Sequence, residues 1–129
     1  MLWLKAAEED LADAEDMLKR GRYFRAAFFA HQAVEKVLKA LFFTVRREEP
    51  PHIRTVTELY MLLNEKGFEL PEEIEAEIYI LNKYYTVTRY PDAANGLPSE
   101  SVDRVEAERA VNLAEKVVEY VRNYLRESS

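Results

Sequence analysis

The chain has 129 residues, no cysteine, a formal net charge of −6, and 48% apolar against 33% charged residues. This is one domain's length of chain, 1–129, too apolar for disorder and without the run of about 18 apolar residues a membrane span needs. Disulfides, thiolate nucleophiles and Cys-ligated zinc are excluded, and the first residues turn acidic before any signal-peptide core can form, so the expectation is a soluble, cytoplasmic domain.

Three Gly and five Pro punctuate the sequence where helical spacing stops, and they divide it into five helical pieces. The first, 2–20, repeats Leu4, Ala7, Leu11, Ala14 and Leu18 on one face. The second, 22–46, carries Ala30, Val34, Val37, Leu38, Leu41 and Val45, widened by five Phe until little of it is polar. It should be the central, most buried helix. The third opens on Thr55-x-x-Glu58, a capping box, ends at Gly67, and turns Leu59, Leu62 and Leu63 inward. The fourth follows Pro71 with carboxylates at its positive end and buries Ile74, Ile78, Leu81 and Tyr85. The fifth begins at Asp103-x-x-Glu106 and runs almost to the end on an Ala/Val seam. Asn95-Gly96 lacks alternating flanks, so no hairpin is expected. The fold class is all-α, a five-helix up-and-down antiparallel bundle with a four-helix core and a shorter helix.

Charge is uneven. Between Met17 and Arg47 there are eight basic residues and one acid, Glu35, which leaves the remainder strongly acidic. Such a strip either tracks phosphates or an acidic partner, or pairs with acids on neighbouring helices. The two histidines, His31 and His52, have no His-Glu-x-x-His spacing, and nothing suggests a metal site or cofactor. His31 and Glu35 share a helix face and are placed to hydrogen-bond. Arg25 and His31 sit about 120° apart around the helix and cannot converge on one phosphate. The richest stretch is Tyr84 to Asp92. Pro91 ends the helix there, and Arg89 is a candidate phosphate fork with Tyr85 and Tyr90 as stacking platforms. Its plain alternative is a pinned helix exit, with Arg89 and Asp92 bonded to loop backbone.

Tyr23 to Leu41, with its Gln32-Ala33-Val34-Glu35-Lys36-x-x-Lys39-Ala40 core, together with the later Arg89-Tyr90-Pro91-Asp92, resembles the HEPN family (higher eukaryotes and prokaryotes nucleotide-binding) over nearly the whole chain. The resemblance implies a five-helix bundle, commonly a homodimer, often encoded beside a minimal nucleotidyltransferase in a toxin–antitoxin-like pair. Many members are metal-independent ribonucleases with Arg-x(4–6)-His late in the chain. Here Arg89 is suitably late, but Ala94, Asn95 and Gly96 stand where the histidine would fall, and nothing there can serve as the general acid or base. In some such pairs the nucleotidyltransferase modifies a HEPN tyrosine, and Tyr84, Tyr85 and Tyr90 lie near that region.

Three readings follow: a dimeric HEPN-type protein that binds a nucleotide, RNA or a nucleotidyltransferase partner; a metal-independent endoribonuclease with a degenerate Arg/His site; and a non-catalytic helical adaptor. In the first, Glu35, Lys36 and Lys39 line a groove facing Arg89 and Asp92. Trp3, Phe24, Phe43, Tyr60 and Tyr79 exceed what a slender bundle buries, so some should form a patch that a second copy covers.

Overall fold

The computed structural model describes residues 2–44, 55–89 and 101–128, with backbone alone at 86–89 and 128. Every element in these residues is helical, as the spacing predicts, and none is long and apolar enough to cross a membrane. Helix α1 (Leu2–Lys19) turns into α2 (Tyr23–Thr44) through Gly21 at φ 75°. The Gly21 N–H donates to Leu18 and the Arg22 N–H to Met17, which satisfies two carbonyls that the helix end would otherwise orphan. Gly67, φ 102°, closes α3 (Val56–Glu65) in the same way, with Gly67 N bonded to Asn64 O and Phe68 N to Leu63 O. At the start of α3, Thr55 Oγ1 accepts the Glu58 N–H and donates to the Glu58 carboxylate, both at 3.1 Å, so the predicted capping box forms.

The fourth predicted helix is broken. It consists of one turn, α4 (Glu72–Glu75), then a 3₁₀ segment (Ile78–Leu81), then α5 (Asn82–Arg89). Tightening to three residues per turn brings Ile78, Leu81 and Tyr84 into line, all buried, and displaces Tyr85 from the predicted stripe to a half-buried position. Helix α6 (Arg104–Ser128) starts where expected, with Asp103 Oδ1 accepting the Glu106 N–H at 2.8 Å.

α2 is the centre, with twelve buried residues, and contacts α1, α3, α5 and α6. Trp3 stacks on Phe43 and Asp10 meets Lys36, so α1 runs antiparallel to α2. Glu8 meets Arg122, and α1 runs antiparallel to α6 as well. Ala7, Ala14, Ala26, Ala30, Ala33, Ala107, Ala110 and Ala114 are fully buried, and these small side chains admit close helix approach. On the other flank Phe68 packs edge-on against Tyr60, Tyr120 and Tyr124. Of the aromatics expected to exceed the core, Phe43 and Tyr79 are exposed and Trp3 and Phe24 half-buried. Tyr60 is buried, its hydroxyl donating to Glu75 and accepting the Leu70 N–H at 3.1 Å.

Candidate functional site

α2 is almost wholly apolar, yet it buries two polar side chains, His31 at 2% exposure and Glu35 at 7%. They lie one turn apart on the edge of the helix between α1 and α5. The His31 ring sits 6.3 Å from that of Tyr85 on α5, tilted by 60°. Its Nδ1 lies 3.2 Å from Gln32 Oε1, close enough for a hydrogen bond that would place the ring proton on Nδ1. Glu35 turns to Lys39, one turn further on, at 3.6 Å. The Lys39 ammonium stands 5.4 Å from the centre of the Trp3 ring, which stacks on Phe43. Along one edge, then, run an aromatic–imidazole pair, a largely buried carboxylate, and an ammonium over an indole.

Lys36 is on the neighbouring edge, where its ammonium bonds Asp10 of α1 at 2.6 Å. The structure thus brings His31 to Tyr85 and Glu35 to Lys39, and directs Lys36 toward α1. α5 is antiparallel to α6, fixed by Arg109–Glu77 and Lys83–Glu106, and therefore also to α2. From Tyr85 opposite His31, the α5 backbone reaches Arg89 at the level of the first turns of α2, while Lys36 and Lys39 lie toward its other end. Tyr90, Asp92 and His52 are outside the described residues, as are the positions after Arg89 where a histidine would fall.

The basic strip divides. Lys36 and Lys39 are paired within the bundle, and Arg20 holds Asp16 at 3.0 Å on the surface. Arg22 and Arg25 are exposed and form no ion pair with any described residue, which leaves a positive corner at the start of α2. That corner lies at the level where α5 ends at Arg89.

The first turn of α5 is anchored to α6 by contacts that local spacing does not reveal. Lys83 Nζ donates to Glu106 at 2.8 Å and to the Ser101 carbonyl at 3.0 Å, and the buried Tyr84 hydroxyl donates to the same Glu106 carboxylate. Burial first, and then this bond, push the Tyr84 phenol well above its ordinary range, so it is a fixed neutral donor. The Asp10–Lys36 pair spans 26 residues and likewise left no local signal, whereas Glu35–Lys39 is an i,i+4 pair legible in the sequence. Among the described residues no group of three or more His, Cys, Asp or Glu could hold a metal ion.

A model of the HEPN domain matches residues 1–124. The chain belongs to the HEPN domain family. Among proteins similar to this HEPN chain is one from Methanocaldococcus jannaschii named "Putative toxin MJ1304", 28% identical and matched over 98% of this chain and 88% of its own length. The crystal structure of TT1696 from Thermus thermophilus superposes with a TM-score of 0.80 at 35% identity, covering 94% of each chain. A HEPN domain protein of Thermotoga maritima, TM0613, gives 0.75 at 31% identity over 98% of each. ST0689, an archaeal HEPN homologue, gives 0.76 at 29% identity over 95% of this chain and 94% of its own.

Proposed function

We propose that this chain is a HEPN-type binding protein that works as a homodimer with a minimal nucleotidyltransferase, in a toxin–antitoxin-like pair, and takes a nucleotide or RNA phosphate at the exit of α5. The observation that carries this reading is the polar edge of α2. His31, buried in the most apolar helix and facing Tyr85 of α5, sets a polar group beside the proposed site, which supports recognition there. The toxin name borne by the Methanocaldococcus relative supports the same direction. Arg89 is assigned the guanidinium fork, and Arg22 and Arg25, which form no ion pair with any described residue, add positive potential at the same level. Tyr85, beside His31, is assigned to stacking, and Tyr90 and Asp92, which follow Arg89 in the sequence, are assigned to stacking and to orienting the fork. The exposed Phe43 and Leu2, beside Trp3, offer apolar surface to a second copy.

Calorimetric titration with ATP and with a short RNA tests the ligand. Wild type should bind at least one of them, and Arg89→Ala should lose that binding with its helical circular dichroism unchanged. Wild-type silence toward both removes the nucleotide ligand. Co-purification with the product of an adjacent reading frame that bears a Gly-Ser and a following Asp-x-Asp tests the partner, and failure to associate removes it.

A further inference from the structure

The seam between α1 and α6 is remote from the α2 edge and carries an unusual contact. Glu8 and Arg122 meet across it at 2.9 Å and set the register of the two antiparallel helices. Seven residues, two helical turns, separate Glu8 from Glu15 and Arg122 from Glu115 in opposite chain directions, so Glu15 and Glu115 must face each other. They do, in carboxyl-to-carboxyl contact, along an open groove of about 480 Å³ lined also by Leu11, Asn112, Lys116, Glu119 and Arg122. Both glutamates are half-buried, and neither forms an ion pair with any described residue. Arg122, the nearest fixed cation along the seam, is committed to Glu8.

Two carboxylates in contact cannot both ionise cheaply, whereas one proton between them makes a charge-assisted hydrogen bond. We propose that Glu15 and Glu115 form a proton-operated latch between α1 and α6, closed while they share a proton and released when both ionise. The charged groups around Glu115 are Glu15 from α1 and Lys116, Glu119 and Arg122 from its own helix, with Glu8 behind Arg122. Glu119 adds to the repulsion, and Lys116 is the one groove cation not committed to an ion pair among the described residues. The bond to Glu15, and then partial burial, hold the Glu115 carboxyl up at about 7, so the latch works near neutrality.

The release has a place to act. α1 fully buries only Ala7 and Ala14 against the core, and its opposite polar edge carries Asp10 and Trp3, which hold Lys36 and Lys39. Loosening α1 from α6 therefore weakens the restraint on two ammonium groups of α2.

The sign follows from proton counting. With the folded value raised above the open-state value, the closed form holds one extra proton between about pH 4.5 and about 7, and stability falls as pH rises through that window. Amide hydrogen exchange over residues 8–19, corrected for intrinsic rates, reads the latch in the intact chain. Protection of these amides in wild type, divided by that in Glu115→Gln, should fall up to about tenfold per pH unit from pH 5 to 7 and then level off. The Gln amide still donates to Glu15, so this variant stays latched at pH 8, and Glu15→Gln should behave alike. A wild-type-to-variant ratio that does not change with pH for both variants overturns the proposal.

Discussion

Tyr60 and Tyr84 each turn a phenol inward onto a carboxylate of another segment, Glu75 and Glu106, and each is the anchor of its neighbourhood. Tyr60 also accepts the N–H of Leu70, which is buried. Tyr60→Phe should therefore cost about 2 kcal/mol in urea unfolding, because that N–H loses its acceptor. Burial and the bond to Glu75 push the Tyr60 phenol up to about 12. An ultraviolet titration should show Tyr60 and Tyr84 ionising above the ordinary phenol range. Their folded forms keep the proton that the unfolded chain sheds near pH 10, so stability drops above that pH. Lys36→Ala strands Asp10, whose side chain is 13% exposed, and should cost about 1–2 kcal/mol. At this scale the sequence was half legible. Glu35–Lys39 could be read from spacing, whereas the partners of Lys36, Tyr60 and Tyr84 lie 26, 15 and 22 residues away, beyond any periodic signal.

Among elements, the helix ends were the most legible, because capping is chemistry within four or five residues. Thr55, Asp103, Gly21 and Gly67 all act where their spacing placed them. Gly67→Ala should cost about 1 kcal/mol. A Cβ there meets nothing within 4 Å, so the penalty is the left-handed backbone alone. Asp103→Ala should also cost about 1 kcal/mol, read from the same unfolding curves. The break between α4 and α5 escaped the sequence because Ile78 and Leu81, three residues apart, satisfy both a 3.6- and a 3.0-residue period. Only the next aromatic separates the two, and the chain chose Tyr84 over Tyr85. That one-residue choice frees Tyr85 to meet His31, so the irregular segment shapes the candidate site.

For the molecule as a whole, α2 emerged as the central helix just as its composition required, since a helix apolar on nearly every side has to be surrounded. The polar edge it keeps was visible as residue types but not as an arrangement, because its partners come from α1 and α5. A homodimer should appear in sedimentation at micromolar concentration. Phe43→Glu should yield monomers of unchanged helicity, and a wild-type monomer at high concentration would contradict the apolar-patch reading. The tie of Lys83 and Tyr84 to Glu106 has a mechanical corollary. It welds the short α5 to the first turn of a 25-residue rod about 37 Å long, whose far end carries Tyr120 and Tyr124 against Phe68. A tilt of α5 by some five degrees, carried rigidly along α6, would displace that far end by roughly 3 Å, so one helix joins the two poles of the bundle mechanically.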